Sequence, residues 1–176
     1  MSSVKTVKTY RDAIKFTEFP NQMYKDVDAF VPPLSIDELT LFDPKKNPIF
    51  EYCEAIRFLA IRDNQIVGRI AGIINHDLNK NYDKKQARFT RIDMIDDLDV
   101  TKALIGAVEA WAKEKGMTEL IGPIGFSDLD RQGMLVEGYD QLNMFITIYN
   151  FPYYVTHMEK LGFTKDVDWV EKQIPW

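Results

Sequence analysis

"RIDMIDDLDVTKALIGAVEAWAKEKG" (Arg91–Gly116) passes from a strand to a helix through an acidic elbow of Asp96, Asp97 and Asp99. In the helical half Val100, Ala103, Leu104, Ala107, Val108 and Trp111 recur three and four residues apart and make one apolar stripe. Gly116 stands where such a helix ends. A strand-to-helix turn offers unpaired backbone N–H groups and partial positive charge, which suits a phosphate. Here three carboxylates occupy that spot. Either Asp97 or Asp99 caps the helix while its neighbours complement the dipole, or the carboxylates point outward and the amides still face an anion.

Upstream of the elbow, "ARFTRIDM" (Ala87–Met94) reads as a strand, and "AIRFLAIR" (Ala55–Arg62) with "QIVGRIAGIIN" (Gln65–Asn75) reads as a hairpin turning at Asp63-Asn64. "VKTVKTY" (Val4–Tyr10) alternates like a strand, and Arg11–Tyr24 follows a mostly helical period interrupted by Pro20, so one helix or two short ones fit. Ser35 with Glu38 reads as a capping box opening a short helix, and "DPKKNPIFEY" as a surface loop. "HDLNKNYDKKQ" reads as a polar loop or a frayed helical turn. Downstream come a bent strand, "TELIGPIGF" (Thr118–Phe126), a turn-rich stretch, a short strand "NMFITIYN", a helix "PYYVTHMEKLGF" and a last strand "DVDWVEKQI". This order predicts an α/β fold of the mixed, α+β kind, with only the β–α–β step around the elbow needing parallel neighbours.

The chain carries 22 Lys and Arg against 27 Asp and Glu, a net charge of −5, with no basic run. That excludes nucleic acid and an anionic membrane as expected partners. A single cysteine, Cys53, forms no internal disulfide and fits a reducing compartment. "MSSVKTVKTY" lacks a signal-peptide core and no apolar run reaches about 18 residues, so the expected location is the cytoplasm.

The element order, "QIVGRIAG" after a tight hairpin, and "HMEKLGF" near the end resemble the GNAT superfamily of acyl-CoA-dependent N-acyltransferases. The phrases "FVPPL", "DPKKNPIFEY", "GRIAGIIN", "GPIGFS", "LVEGYD" and "YNFPYY" are similar to an uncharacterised GNAT-like branch. The resemblance implies one GNAT-like domain over residues 1–176, a central twisted mixed sheet flanked by helices, and places the chain as the N-terminal half of a longer protein or as a short member. It implies acetyl-CoA or another acyl-CoA as co-substrate and a small-molecule amine acceptor, with a partner domain or a homodimer as the rival readings; Asp93, Asp96, Asp97 and Asp99 lack the glycine and terminal glutamate of a calcium loop, so no metal is expected. The ligand cleft is then the splay between Ala87–Met94 and Thr118–Phe126.

The family's pyrophosphate loop maps onto the segment carrying Ile92, Asp93, Met94, Ile95, Asp97, Leu98, Asp99, Val100 and Thr101, which are the expected donor-binding residues. Neither family glycine nor the leading Gln or Arg is present at Ile95–Thr101, and Met158 stands where the family places its proton-donating tyrosine. Tyr154, one helical turn earlier, is the expected replacement acid, with Tyr153 and Tyr149 behind it. Glu137 in "LVEGYD" is the expected base or amine anchor and Glu54 the second choice. His157 is the one histidine on a well-marked helix, and Cys53 has no adjacent base to activate it. The alternative is a non-catalytic GNAT-like interaction module that has lost both the loop and the tyrosine.

Overall fold

In the computed structural model, which describes residues 2–144, 147–170 and 172, one five-stranded sheet runs in chain order, β1-β2-β3-β4-β5. The elements are β1 (Ser3–Thr6), α1 (Tyr10–Met23), α2 (Ser35–Leu41), β2 (Cys53–Arg62), β3 (Gln65–Asn75), α3 (His76–Asn81), β4 (Gln86–Met94), α4 (Leu98–Glu114), β5 (Glu119–Ile121) and α5 (Tyr153–Lys160). The first four strands are antiparallel, and β5 joins β4 in parallel through the α4 crossover. The expected mixed sheet and its parallel step are therefore present.

Two apolar layers lie on opposite faces of this sheet. Ala60, Val67, Ile70, Phe89 and Met94 meet Val100, Leu104 and Val108 of α4, with Tyr154 and Met158 of α5 closing the layer. Leu59, Ala71 and Ile73 meet Phe16 of α1 together with Phe42 and Phe126. The glycines of "GRIAG" belong to the α4 face. A Cβ on Gly68 would lie 2.8 Å from Leu104, and one on Gly72 would lie 3.0 Å from Val108 and Trp111. The helix rests almost on the strand.

The hairpin turns at Asp63 and Asn64, whose φ angles of 49° and 61° are those of a two-residue I′ turn. The N-terminal region departs from expectation. β1 stops at Thr6 because Thr9 opens α1 in a capping box with Asp12, so the alternating "VKTVKTY" is strand only in its first half. α1 is one helix that contains Pro20. The expected capping box at Ser35 does not form: Leu34 is the N-cap, with no side-chain cap, the Ser35 hydroxyl bonds Glu18, and Glu38 turns inward to Arg91. "DPKKNPIFEY" contains a single 3₁₀ turn, Pro48–Glu51, and "HDLNKNYDKKQ" begins with the short helix α3.

β5 is three residues rather than nine. Gly122 and the cis Pro123 end it, and only Gln86, Ala87 and Arg88 pair with it. Beyond Arg88 the two chains splay, held once more where Ile124 N donates to Phe89 O. The described part of "NMFITIYN" is not a strand, and Phe145 and Ile146 lie outside the described residues. The same holds for "DVDWVEKQI", whose described part is irregular and whose Glu171, Gln173 and Ile174 lie outside. Among the described residues no helix is long and apolar enough to cross a membrane.

A Gly72→Ala substitution should push α4 off the sheet and destabilise the fold by about 1–3 kcal/mol. Gly106→Ala, where nothing lies within 4 Å of the added carbon, should be neutral or stabilising by up to about 1 kcal/mol. Thermal melts of the two variants side by side check the pair.

Candidate functional site

The splay puts the free edge of β4 at the centre of the molecule, and a bulge in β4 determines what faces each side of it. Thr90 pairs with Ala71 and Asp93 with Arg69, so Arg91 and Ile92 share the place opposite Ile70. Arg91 takes the extra position at φ 51°. The bulge sets Thr90 and Arg91 side by side on the α1/α2 face, where Arg91 Nη1 donates to Thr90 Oγ1 at 3.1 Å. Asp93 shares that face, and Ile92 and Met94 pack into the α4 layer.

Arg91, 6% exposed, is a three-way clamp. Its Nε and Nη2 donate to the two oxygens of Glu38 on α2 at 2.9 and 3.1 Å, and Nη2 also reaches Asp130 Oδ1 at 2.7 Å. Asp130 lies in the loop after β5, so one guanidinium ties α2 to the far wall of the splay. Asp130 Oδ2 accepts from Phe126 N at 3.1 Å across Gly125, where any Cβ would collide with that carboxylate. The second glycine of "GPIGF" is required by this close approach.

A second buried network starts from a proline. Pro20 has no N–H to give to Phe16 O one turn earlier. Arg69 Nη1 donates there instead, at 2.8 Å, and Arg69 Nε holds Asp93 Oδ2 at 2.7 Å. Tyr24, just past the end of α1, donates to Asp93 Oδ1 at 2.9 Å. Its one hydrogen is thereby used, so in the 2.7 Å contact between the two hydroxyls Tyr154 is the donor and Tyr24 the acceptor. Tyr154 Oη in turn accepts from Met94 N at 3.0 Å, and Tyr153 Oη donates to Met94 O at 2.7 Å. Burial first, and then the Asp93 charge, push both Tyr24 and Tyr154 well above the ordinary phenol range. Both are held as O–H donors at neutral pH.

The acidic elbow is filled by the chain itself. Asp97 is the N-cap: Oδ1 accepts from Asp99 N at 2.9 Å, and its main-chain oxygen accepts from Val100 N and Thr101 N at 3.1 and 3.2 Å. Asp97 Oδ2 receives Arg62 Nη2 at 2.7 Å, and that hydrogen bond, outweighing burial, holds the carboxyl below the usual aspartate range. Asp96 Oδ1 lies 3.1 Å from His157 Nε2, and His157 Nδ1 lies 2.8 Å from Thr101 Oγ1. The amides of Asp99, Val100 and Thr101 are already bonded, and Leu98 carries the one helix-opening amide outside these bonds.

Among the expected site residues, Tyr154 is therefore fully buried on the splayed edge of β4, and Ile92–Ile95 line that edge. Glu137 is exposed in the turn after Leu135, which packs against the Tyr24, Ala29 and Tyr149 cluster. The structure does not bring Glu137 into contact with Tyr154. Glu54 is on the opposite end of the sheet, bonded to His76 and Lys115. Cys53 is buried, with its thiol pushed up to about 11 by desolvation, which keeps it a neutral thiol at physiological pH. Sequence reasoning missed Tyr24, Arg69, Arg91, Glu38 and Arg131. The traces they left were an arginine in the centre of a strand and a proline inside a helix.

Burial pushes the Glu38 carboxyl up, and the Arg91 charge and hydrogen bonds more than offset this, leaving it below the usual glutamate range. A carboxylate depressed in the folded state stabilises above its unfolded value, about 4.3, and that contribution is lost as pH falls through the folded value. The melting temperature should fall on acidification below about pH 4.3, and Glu38→Gln should melt lower at neutral pH with a shallower acid limb. Melts of both proteins across that range decide it.

No family model matches the chain. It is 34% identical over 165 residues to protein YghO of Escherichia coli (strain K12), covering 94% of this chain and 42% of that protein. It is 29% identical over 167 residues to a bacterial ceramide synthase of Caulobacter vibrioides, covering 94% and 44%. The chain thus spans less than half the length of these curated relatives. Among solved structures it superposes on a tandem GNAT protein from the clavulanic acid biosynthesis pathway with a TM-score of 0.59 at 10% identity, covering 92% of this chain and 43% of that one. It also superposes on a predicted acetyltransferase from Clostridium acetobutylicum, solved with acetyl-CoA, with a TM-score of 0.58 at 12% identity, covering 98% and 96%.

Proposed function

On a chain that has the fold of the GNAT acetyltransferases, we propose that the site transfers an acyl group from a thioester, acetyl-CoA or a longer acyl-CoA, to an amine. The observation that carries this reading is the Tyr154 hydroxyl on Met94 N, at the open edge of β4 where the sheet splays. The relative that bears the name of a ceramide synthase supports an amide-forming reaction, since ceramide is an N-acylated amino alcohol. The neighbours with a named activity are acetyltransferases, which lends no support to the alternative of a non-catalytic module.

In this reading the amine nitrogen attacks the thioester carbonyl carbon, the C–N bond forms and the C–S bond breaks. The proton lost by the amine is balanced by one gained at sulfur. Tyr154, kept protonated by burial, turns its O–H from Tyr24 to the departing thiolate, protonates the sulfur and is reprotonated from water, while Tyr24 and Asp93 hold the ring in place. Glu137, exposed in the turn after Leu135, is the base assigned to take the proton of the incoming amine. Ile92, Met94 and Ile95 form the wall along which the donor lies, and Asp93, the other expected residue of that stretch, turns to the α1/α2 face. Asp97, Leu98, Asp99, Val100 and Thr101 offer its phosphates little, because the amides that would cradle them are spent within the helix start. Donor affinity then comes from the acyl chain and thioester arm more than from the nucleotide.

Two measurements test this. An acyl-CoA at about 100 times its dissociation constant should raise stability by roughly 2.7 kcal/mol, and free coenzyme A at the same concentration by clearly less. Thiol release from acyl-CoA in the presence of an amine panel should exceed the uncatalysed rate and drop on the order of 100-fold in Tyr154→Phe. That variant leaves Met94 N unpaired, at about 1–3 kcal/mol, so its rate is read below its own melting transition. Absence of thiol release with every donor and amine would sink the proposal.

A further inference from the structure

A small cavity of about 30 Å³, open to solvent, lies on the α1/α2 side of β4. Tyr24, Arg69, Arg91, Asp93, Arg131 and Asn143 are among its walls. Its charges are unevenly spent. Arg69 is matched to Asp93. Arg91 takes both oxygens of Glu38 and one of Asp130. Asp130 is engaged at both oxygens: Oδ1 also accepts from Arg131 N at 2.7 Å, and Oδ2 accepts from Phe126 N. The Arg131 guanidinium, half-buried in the wall, has no hydrogen bond or ion pair to any described residue. A desolvated guanidinium with five open donors calls for a planar anion.

We propose that the cavity is the acceptor subsite and that Arg131 binds an anionic group, a carboxylate or a phosphate, carried by the acceptor amine. That this anion belongs to the acceptor rests on the acyl-transfer reading. The donor's phosphates have a different address, because β4 separates the two regions: Arg91 and Asp93 face the cavity, and Met94 faces the α4 layer and its acidic elbow. Tyr24, on the same wall, links the amine to the Tyr154 hydroxyl.

The test is calorimetric titration of the full chain with O-phosphoethanolamine, β-alanine, ethanolamine and inorganic phosphate. One of the two anionic amines should bind, and which one identifies phosphate or carboxylate as the anion. Ethanolamine should bind at least about tenfold more weakly, as loss of a charged hydrogen-bonded contact requires. Arg131→Gln should weaken the anionic amine by a similar factor and leave the melting temperature unchanged, since no ion pair is broken. Arg131→Lys should lose less, and it serves if the glutamine variant is poorly folded. Equal binding of ethanolamine, unaltered binding by Arg131→Gln, or no binding of either anionic amine would each overturn the subsite. So would coenzyme A binding that needs Arg131 while phosphoethanolamine does not bind, since the anion would then be the donor's. Thiol release separates the two readings. Arg131-dependent binding without acyl transfer leaves the anion site standing and removes the reaction. Acyl transfer to ethanolamine that ignores Arg131 does the reverse.

Discussion

A carbonyl without its helical partner organises the centre of this protein. Pro20 cannot close the bond to Phe16 O, and that orphaned oxygen receives Arg69. Fixed there, the guanidinium presents Nε to Asp93, and Asp93 offers its second oxygen to Tyr24 at the end of the same helix. The loop closes on itself: α1 supplies both the carbonyl that holds the arginine and the phenol that completes the carboxylate. Arg69 and Asp93 are each 4% exposed. A pair that dry contributes little net stability against desolvation, yet removing either partner strands the other at a cost of about 3–5 kcal/mol. Its effect is specificity of position. α1 can sit over the sheet in one register, and Tyr24 is delivered against Tyr154 at the open edge of β4.

The bulge at Arg91 does the same for the other wall. A regular strand would send Thr90 and Arg91 to opposite faces. The extra residue turns Arg91 to the side where α2 and the loop after β5 converge. A non-glycine residue at positive φ stores strain of order 1–3 kcal/mol, and here three charge-assisted hydrogen bonds to Glu38 and Asp130 hold it in place. The splay is thus braced from both sides by buried arginines. Its width is fixed by ion pairs rather than by the three short pairings of β5.

How much of this the sequence discloses follows from the range of the interactions. The hairpin, α4 and the Asp97 cap are written in neighbouring residues, and periodicity or turn chemistry reads them directly. Glu38 shows the opposite case. Three residues after Ser35 it satisfies the local pattern of a capping box, but a buried arginine 53 residues away outcompetes the nearby N–H. Local reasoning extended β5 through Phe126 because "TELIGPIGF" is apolar, whereas Gly122 and Gly125 serve the close approach of Phe89 and Asp130. Tyr154 was legible as a candidate because it stands one turn from the family position. Tyr24 was not, since nothing near it in sequence marks a residue whose partners lie 69 and 130 positions away.

The acidic elbow and the arginine-lined cavity are two ends of one arrangement. A helix start can serve a phosphate; this chain spends it on Asp97, Arg62 and the Asp96–His157 contact, and the amides of Asp99, Val100 and Thr101 are closed by that choice. Among the arginines that line the cavity across β4, Arg131 is the one without a hydrogen bond or ion pair to a described residue. In the proposed reading, anion attraction lies at the acceptor's end of the cleft and not at the donor's. A cleft polarised this way discriminates by which molecule carries the negative charge next to the amine. The strand between the two ends keeps them apart, because past the bulge Asp93 and Met94 face opposite sides of the sheet.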